Sequence, residues 1–514
     1  MRSAQRPLGL ILALIALALH LATSWRYGYF RDELYFIACA HHLAWGYVDQ
    51  PPLVAVAAYL SAPFGFALPA LRLLPAVGAA ATVWLACRIA RELGGGVSAE
   101  LLSGLTVMLL PAYLLLGNTL TTTSLEPLSW TLVIYLTMRI IRTGEMRLWP
   151  AAGAAVAFGL YGKYSMALLV AALLIGLLLT RQRRVLFTWW LPLSVALTLA
   201  LVLPNLLWQL RHDWPMLTVL HGDVLNRHAF NNGLELEYKG LLRNAAAFAV
   251  LQTVFTHPVF TAVWVSGLCA TLFGRSLARY RAVAVAWLVL FALAVALEAK
   301  GYYVIGIYAA LLAMGAVAIE RAWRARPLLL RAAPVAAALV ALPALPLSLP
   351  VLPVDTLIAY SAALHLTGTG GTPPRLIQPL FAEEFGWDEL ARHVAQVYDA
   401  LPPEVRARTA LFADTYGDAG ALAFYGPKYG LPPVISGQNN YWLWGTRGYD
   451  GESVIAVGAM QTDILKASFR EVRLIATYGN PYKWVVEGPA PIYLCSHPRA
   501  PLSALWPRFK WYGA

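Results

Sequence analysis

One short stretch near the N-terminus carries most of the side chains in this sequence that could do chemistry. It reads YFRDELYFIACAHHLAWGYVDQPPL and follows directly on an apolar run, LGLILALIALALHLATSW, that is long enough to enter a bilayer. Its acids and histidines are Asp32, Glu33, His41, His42 and Asp49. A carboxylate in such a place can take the proton of an attacking hydroxyl group, and the other side chains can bind an acceptor or an ion.

The spacing of the acids limits what each can do. Asp32 and Glu33 are neighbours, so on a helix their side chains point about 100° apart and at most one of them aims at a reaction centre. The other can bind an acceptor, an ion or the adjacent Arg31. Asp49 precedes a double proline that ends any preceding helix, and a loop can bring it back towards Asp32. The alternative is that these acids only solvate the end of the first apolar span.

Lysine is rare in the first 350 residues, and its positions are informative. Lys163, Lys239 and Lys300 occur there, and two of them lie next to apolar runs, in GLYGKYSM and LEAKGYYV. A charge at the centre of a bilayer costs about 2.5–3.5 kcal/mol on insertion scales, and near the end of a span an ammonium group still favours an anionic partner. Lys163 and Lys300 are therefore candidate ligands of a phosphate group, although snorkelling towards lipid headgroups explains either lysine alone.

The elements that must position these residues are membrane helices. Of the 514 residues, 59% are hydrophobic and 13% are charged, and the mean hydropathy of +0.59 is too high for a soluble chain. A membrane-spanning helix needs roughly 20 mostly apolar residues. We predict about 11 transmembrane helices, near residues 8–24, 71–90, 99–117, 123–141, 150–163, 165–180, 185–208, 258–273, 281–298, 302–319 and 329–350.

The basic residues predict the orientation of these spans. The net charge of +12 comes mainly from short arginine clusters between apolar runs, which is typical of cytoplasmic loops and argues against nucleic acid as a partner. With the N-terminus in the cytoplasm, every cluster falls on the cytoplasmic side. The acidic stretch, the loop 209–257 and everything after about residue 350 then face outwards. The clusters are Arg2 and Arg6; Arg88 and Arg91; Arg139, Arg142 and Arg147; Arg181, Arg183 and Arg184; Arg275, Arg279 and Arg281; and Arg321, Arg324 and Arg326.

The composition changes after the last apolar run. Residues 1–350 form the predicted membrane domain, 351–374 a linker with Gly, Thr and Pro, and 375–514 a separate domain. WDELARHVAQVYDAL has the spacing of a helix, RTALFADTY and SVIAVGAM are typical of buried strands, and RLIATY and PIYLCSH of weaker ones. This alternation predicts a small α/β domain outside the membrane. The loop SGQNNYWLWGTRGYDG is either an ordered turn or a surface on which sugar rings stack.

Acids and lysines on the outer side of a membrane suit displacement at the anomeric carbon of a sugar whose lipid-linked phosphate leaves. A carboxylate takes the proton of the acceptor hydroxyl group, and cations or a metal ion stabilise the departing phosphate. One base without a covalent nucleophile inverts the anomeric centre. A polyprenyl-phosphate donor stays in the bilayer, which accounts for the many membrane helices.

The segment FRDELYFIACAHHLAWGYVDQPPL resembles the first outer loop of bacterial membrane glycosyltransferases related to protein O-mannosyltransferases, glycosyltransferase family 39. Their relatives include the lipid A aminoarabinose transferases. The resemblance continues through GNTLTTTSLEPLSWTL, YGKYSMALL, LPNLLWQLRHDWP and AKGYYVIGIYAALLAMGAV, and so covers most of residues 1–320 in order. It implies a GT-C fold, a polyprenyl-phosphate-linked sugar donor and a catalytic acid in the first outer loop. That acid matches Asp32, with Glu33 as its neighbour.

The sequence departs from this group at one position. VDQPP resembles FEKP of the aminoarabinose enzymes, whose lysine helps to hold the donor phosphate. Here Asp49 is the acid and Gln50 stands where the lysine would be. A neutral amide does not compensate the charge of a phosphate, so another cation must do so. The candidates are Lys163 and Lys300, followed by Arg72 and Arg31.

We therefore predict a multi-pass protein of the bacterial inner membrane that is an inverting glycosyltransferase. It would move a sugar from a polyprenyl-phosphate donor to a lipid, glycan or protein acceptor on the periplasmic or extracellular face. Asp32 would act as the base beside Glu33, and Asp49, His41 and His42 would bind the acceptor or an ion. No cofactor is implied, unless a divalent cation binds Asp32, Glu33 and Asp49.

Two other functions are compatible with a polytopic chain. A lipid or glycolipid transporter also needs many helices and charges in the membrane, but it predicts paired halves with a site near the bilayer midplane. The sequence has no such repeat, and its acids cluster at one interface. A catalytically inactive relative that serves as an envelope scaffold would bind a lipid-linked sugar without turnover.

Overall fold

The structure, a computed structural model, describes residues 7–225, 240–366, 377–482 and 489–513. Residues 226–239 of the predicted outer loop and 367–374 of the predicted linker lie outside the described residues. The chain forms two compact units. The helical unit consists of Met1–Trp25, Arg72–Leu207 and Arg227–Val351, and the mixed unit of Arg26–Leu71, Trp208–Asn226 and Leu352–Ala514.

The helices and strands are numbered in chain order. The first group of helices is α1 (Leu8–Thr23), α2 (Arg31–Ala40), α3 (Leu53–Tyr59), α4 (Leu68–Leu71), α5 (Leu73–Glu92), α6 (Val97–Met108), α7 (Pro111–Gly117), α8 (Glu126–Thr143), α9 (Trp149–Gly162), α10 (Met166–Leu178), α11 (Trp190–Arg211) and α12 (Pro215–Leu225). The second group is α13 (Leu241–Thr256), α14 (Pro258–Leu272), α15 (Arg281–Ala296), α16 (Tyr308–Ala322), α17 (Pro327–Ala341), α18 (Val354–Ala363), α19 (Pro379–Ala382), α20 (Trp387–Asp399), α21 (Pro403–Arg406), α22 (Tyr416–Tyr425), α23 (Asn439–Leu443), α24 (Thr462–Ser468) and α25 (Leu502–Leu505). The strands are β1 (Thr409–Ala413), β2 (Val434–Ile435), β3 (Ser453–Val457), β4 (Phe469–Tyr478) and β5 (Ala490–Pro498). Short 3-10 helices cover Ala62–Phe64, Met146–Leu148, Arg181–Leu186, Ala278–Tyr280, Gly301–Ile307, Leu342–Leu347, Gly426–Tyr429 and Trp506–Phe509.

The helical unit has the composition of a membrane domain. Among the described residues, five helical segments are long and apolar enough to cross a bilayer, and two bent helix pairs raise the number to seven if each pair is one span. The predicted multi-pass helical architecture is confirmed, whereas the number of 11 spans stays a prediction. The five segments are Leu73–Glu92, Trp190–Arg211, Ala278–Ala296, Gly301–Ala322 and Pro327–Leu347.

Close helix packing in this unit depends on small residues. Helix α16 lies at the centre, and its residues from Tyr308 to Val317 are all buried. Gly315 of α16 faces Gly267 of α14, and a Cβ atom at Gly315 would clash with the carbonyl group of Val263. Lipid provides no hydrophobic driving force between helices, so close backbone approach and van der Waals contact hold such pairs together.

One end of the helical unit collects the arginines of several connections. Arg142 Nη2 lies 2.5 Å from Glu92 Oε2, and Arg321 donates a hydrogen bond to the carbonyl oxygen of Leu93 at 2.6 Å. Arg91, next to Glu92 in the chain, belongs to the same end. Three of the predicted arginine clusters therefore lie at the same end of the unit, as expected if successive spans cross the membrane in alternating directions. Which side of the membrane this end faces stays a prediction.

The mixed unit is built around a five-stranded sheet with the order β2-β1-β3-β5-β4. Strand β1 runs parallel to β2 and β3, whereas β5 is antiparallel to both β3 and β4. All residues of β1 and β3 are buried, which accounts for their continuous apolar sequences. The predicted helix at WDELARHVAQVYD is α20, and the predicted strands are β1, β3, β4 and β5. The location of this fold outside the membrane stays a prediction.

The predicted first outer loop, which lies within residues 26–71, folds as part of the mixed unit. Helix α2 packs along α22, and the contact is so close that a Cβ atom at Gly420 would lie 2.9 Å from the backbone nitrogen of Tyr35. The two units divide between Val351 and Leu352 in this part of the chain, and the predicted extent of the membrane domain stays a prediction. Residues 26–71, which we expected to belong to the membrane domain, pack instead with the C-terminal fold, because the apolar side chains of α2 face α22.

The ion pair at Glu92 generates a prediction about stability. The Glu92 side chain is 13% exposed, and Glu92→Gln removes the charge that compensates Arg139 and Arg142, whose side chains are 33% and 41% exposed. We expect a loss of about 1–3 kcal/mol of stability, measured as a lower melting temperature of the detergent-purified protein. Glu145→Gln is the matched control, because the partner of Glu145, Arg147, is 73% exposed. Equal effects of the two substitutions would contradict this interpretation.

Candidate functional site

The acidic stretch begins with a capped helix. Phe30 is extended and directly precedes α2, and its N–H group donates a hydrogen bond to Glu33 Oε2 at 2.9 Å. The side chain of Glu33 is fully buried. An acid in the first turn satisfies a free backbone donor and interacts favourably with the helix dipole. Glu33 therefore fixes where α2 starts, and its predicted part in catalysis stays a prediction.

Asp32 presents its carboxylate at the same helix start. Its Oδ1 atom accepts a hydrogen bond from the hydroxyl group of Tyr416 at 2.8 Å. Arg31 Nε lies 3.4 Å from the same oxygen. The Asp32 side chain is 26% exposed, so it is held in place but still reaches solvent. These are the requirements for a base that receives a proton from a bound molecule.

Arg31 already has anionic partners. Its Nη1 lies 3.3 Å from Glu383 Oε1, and its guanidinium group lies 5.2 Å from the centre of the Tyr416 ring. With Asp32 on its other side, its charge is balanced within the mixed unit. Its predicted contact with a donor phosphate stays a prediction, and the contacts favour a role in holding Asp32.

Asp49 is the second acid of the loop, and it is held by two donors. Tyr35 donates its hydroxyl proton to Oδ1 at 3.0 Å, and the side-chain amide of Asn439 donates to Oδ2 at 3.1 Å. Burial raises the pKa of Asp49 from 3.8 to about 7; both hydrogen bonds lower it, and the charge of Asp32 raises it further. Asp49 therefore titrates near neutral pH, which suits a group that exchanges a proton.

The loop Ser436–Asn440 of the C-terminal sequence supplies one of these donors, Asn439, and also holds the chain next to Asp49. Asn439 adopts a left-handed conformation with φ of 48°, and its Oδ1 accepts a hydrogen bond from the N–H group of Gly513. Asn440 Oδ1 accepts a hydrogen bond from the N–H group of Val48 at 2.7 Å, one residue before Asp49. The beginning of SGQNNYWLWGTRGYDG is thus an ordered turn that packs on the first outer loop. A sugar-stacking role for its aromatic residues stays a prediction.

The two histidines lie at the end of α2. His42 stacks on Trp444 with ring centres 4.4 Å apart, and His41 meets the edge of Phe66 at 5.2 Å. Burial, Arg447 and His41 lower the pKa of His42, so its imidazole is neutral at pH 7. Both side chains are partly accessible, and their predicted role in acceptor or ion binding stays a prediction.

Both lysines belong to the helical unit, and several side chains hold Lys163 in place. Its Nζ donates a hydrogen bond to Thr123 Oγ1 at 2.7 Å and lies 3.8 Å from Glu126 Oε2. Glu126 is buried at the start of α8 and also accepts a hydrogen bond from Ser165 at 2.6 Å. The two predicted spans that carry TTTSLEP and YGKYS are therefore tied together by this ion pair.

Lys300 lies near Lys163. The two ammonium groups are close enough to repel each other, and Lys163 also lies 4.6 and 4.9 Å from the ring centres of Tyr302 and Tyr303. Lys163 therefore interacts with one carboxylate, that of Glu126, and with one other ammonium group. The structure thus brings together the two lysines that the sequence singled out.

Arg72 is fully buried at the start of α5, and its Nη1 donates a hydrogen bond to the carbonyl oxygen of Ser24 at the end of α1. This contact gives Arg72 a role in joining two helices. Its predicted role as a phosphate ligand stays a prediction.

The acids do not form a metal site of the usual kind. Within the described ranges, no group of three or more His, Cys, Asp or Glu side chains is arranged to hold a metal ion. One oxygen of Glu33 is engaged in the helix cap, and its predicted binding of a divalent ion together with Asp32 and Asp49 stays a prediction. Metal dependence stays open, since waters and substrate oxygens also serve as ligands of Mg²⁺.

Sequence reasoning missed Tyr416, Asn439 and Glu126. Glu126 had a signal, because an acid inside the apolar segment TTSLEPLSW needs a cationic partner. Asn439 lies in a polar loop whose unusual composition was visible. No sequence pattern singled out Tyr416, because its contact with Asp32 joins residues that are 384 positions apart.

Comparisons with known proteins agree with this fold. Residues 49–208 match the model of the dolichyl-phosphate-mannose-protein mannosyltransferase family. ArnT from Cupriavidus metallidurans bound to undecaprenyl phosphate superimposes with a TM-score of 0.60 at 16% identity, covering 96% of this chain and 98% of that chain. The apo state of ArnT from the same organism gives a TM-score of 0.55 at 15% identity, covering 95% and 97%. A search among curated proteins gives no match. The predicted resemblance to family 39-like glycosyltransferases with the GT-C fold is confirmed.

The raised pKa of Asp49 predicts how stability changes with pH. The folded protein binds this proton more tightly than the unfolded chain, so the stabilisation is complete below the unfolded pKa of 3.8 and is lost as the pH rises through about 7. We expect the melting temperature to fall between about pH 4 and 7, and Asp49→Asn to reduce that fall. Part of the slope remains, because burial also raises the pKa of Asp414 to about 6.

Asp399→Asn is the control for this measurement, because Asp399 is an exposed partner of Arg406. If the melting temperature falls as steeply with pH in Asp49→Asn as in Asp399→Asn, the proton is not bound by Asp49.

Proposed function

We propose that this multi-pass membrane protein is an inverting glycosyltransferase that moves a sugar from a polyprenyl-phosphate donor to an acceptor on the outer face of a bacterial inner membrane. The sequence match over residues 49–208 and the fold shared with ArnT support glycosyl transfer. The observation that carries the proposal is the accessible carboxylate of Asp32, fixed at the start of a capped helix by a buried hydroxyl group.

Asp32 acts as the base that takes the proton of the acceptor hydroxyl group. Its Oδ1 is engaged by Tyr416 and Arg31, which leaves Oδ2 to meet the acceptor. The hydroxyl oxygen then attacks the anomeric carbon from the face opposite the phosphate, and the carbon–oxygen bond to the phosphate breaks. A single displacement of this kind inverts the anomeric configuration, and the proton ends on the Asp32 carboxylate.

Asp49 supports this step. Its carboxylate interacts electrostatically with Asp32 and titrates near pH 7. In its charged form it accepts a hydrogen bond from a second hydroxyl group of the acceptor, and its negative charge makes Asp32 a stronger base. Transfer should therefore increase as the pH rises through about 7.

Lys163 and Lys300 stabilise the leaving phosphate. Two neighbouring ammonium groups attract the second negative charge that the phosphate gains when the sugar leaves. Thr123 and Glu126 orient Lys163, so that the ammonium group does not have to reorganise during the reaction. Gln50 does not replace these cations, because its buried amide is neutral and faces Cys39.

The role of Asp32 is tested in proteoliposomes that contain the full chain and the polar lipids of cells lacking it, with the envelope proteins and glycans of the same cells added so that both donor and acceptor are supplied. Transferred sugar is measured by mass spectrometry. We expect Asp32→Asn to lower the rate by roughly 100-fold or more, the range that loss of a general base produces. Asp388→Asn is the matched control, because Asp388 pairs with Lys428 at the exposed surface. Full activity of Asp32→Asn would exclude Asp32 as the base.

The phosphate site is tested by binding. We expect undecaprenyl phosphate to raise the melting temperature of the purified protein, and Lys163→Met to weaken its binding by about 10-fold, which corresponds to about 1.4 kcal/mol. Lys428→Met is the control, since Lys428 is an exposed lysine of the mixed unit. Unchanged affinity of Lys163→Met would remove Lys163 from the donor site.

A further inference from the structure

The acids of the first outer loop receive hydrogen bonds from the C-terminal fold. Tyr416, the first residue of α22, donates to Asp32 Oδ1 at 2.8 Å, and Asn439 donates to Asp49 Oδ2 at 3.1 Å. Tyr416 is 7% exposed and Asn439 is fully buried. Two residues of the C-terminal sequence thus contact both carboxylates on which the proposed reaction depends.

Tyr416 cannot easily move away from Asp32. Its N–H group donates to Gln438 Oε1 at 2.6 Å, and its ring packs on that of Tyr35 with the centres 4.9 Å apart. Arg31 covers the ring from another direction. The hydroxyl group is therefore directed at Asp32 by contacts on its backbone and on its ring.

Asn439 is held by hydrogen bonds of its backbone N–H group and of its side chain. Its N–H group donates to the carbonyl oxygen of Trp511 at 3.0 Å, and its Oδ1 accepts from the N–H group of Gly513 at 3.1 Å. Its φ of 48° is a conformation that Asn tolerates better than most residues. The remaining group, Nδ2, is thereby directed at Asp49.

Asn440 holds the second donor to Asp49. Its N–H group donates to the hydroxyl oxygen of Tyr35 at 3.3 Å, and this hydroxyl group in turn donates to Asp49 Oδ1 at 3.0 Å. Asn440 also fixes the chain at Val48. Both oxygens of Asp49 are therefore oriented by consecutive residues of one loop, one of them directly and one through Tyr35.

We infer that Tyr416 and Asn439 are positioning residues for the transfer reaction. The C-terminal α/β fold then contributes side chains to the active centre. The inference rests on the proposed function. It assigns these side chains the task of orienting Asp32 and Asp49, without contact with the reacting atoms.

The hydrogen bonds also set the charge of Asp49. Asp49 is desolvated and faces the titratable groups Asp32, Tyr35 and Cys39, all on α2. Donors to a carboxylate favour its charged form, so the Tyr35 hydroxyl and the Asn439 amide oppose the effects of burial and of Asp32. Loss of either donor moves the titration of Asp49 to higher pH.

Two substitutions that keep the fold intact test the inference in the proteoliposome assay. Tyr416→Phe removes one hydroxyl group, and we expect about 10-fold slower transfer with unchanged binding of undecaprenyl phosphate. Asn439→Asp keeps the Gly513 contact and the tolerance for positive φ, but replaces the donor by a second carboxylate. We expect the pH at which transfer is half-maximal to increase by about one unit.

The controls are the same changes elsewhere in the mixed unit. Tyr449→Phe removes a hydroxyl group that donates to the carbonyl oxygen of Pro433, and Asn480→Asp removes an amide that donates to the carbonyl oxygen of Phe385. We expect both controls to keep the wild-type rate and pH profile. Melting temperatures of all four variants show whether the fold is kept.

The outcomes separate the inference from the proposed function. If Asp32→Asn abolishes transfer but Tyr416→Phe and Asn439→Asp behave like their controls, the inference fails and the proposed function stands. A lower rate with an unchanged pH profile and a proportionally lower melting temperature in both variants would also overturn it. If Asp32→Asn transfers sugar normally, the proposed function itself fails.

Discussion

The arrangement of the mixed unit depends on one constraint: a desolvated carboxylate is unstable unless donors surround it. Asp49 is the desolvated acid, whereas Asp32 lies in the first turn of α2 and is 26% exposed, and α2 alone offers the two acids few donors. The missing donors are the hydroxyl group of Tyr416 and the amide of Asn439, which lie almost 400 residues later in the sequence. The first outer loop and the C-terminal fold therefore become one unit, and the sheet β2-β1-β3 holds α22 and the Ser436–Asn440 loop where these donors are required.

The helical unit solves the corresponding problem for cations. A lysine near the end of an apolar span favours an anion, and Glu126 provides one at the beginning of the adjacent span. Lys300 brings a second ammonium group close to Lys163.

Much of this could be predicted from sequence. Apolar runs and arginine clusters predicted a polytopic helical protein with one basic end, because hydropathy and charge act locally. The alternation of helix and strand near β1, β3 and α20 was visible for the same reason. The two lysines and the acids could be selected since charges in an apolar context are few. The docking of α2 on α22 could not be predicted, because it depends on shape and on a glycine, Gly420, whose role appears only when the two backbones meet. The capping role of Glu33 could not be predicted either, because it depends on the point at which α2 begins.

A protein that adds a sugar from a polyprenyl-phosphate donor to a molecule of the cell envelope changes the envelope when it is removed. The decisive measurement is mass spectrometry of envelope glycolipids and glycoproteins from cells with and without this chain. We expect one sugar to be missing from a lipid, glycan or protein in cells without the chain, and its polyprenyl-phosphate-linked form to accumulate. Identical envelopes and identical lipid-linked sugars in both cells would exclude the proposed transfer.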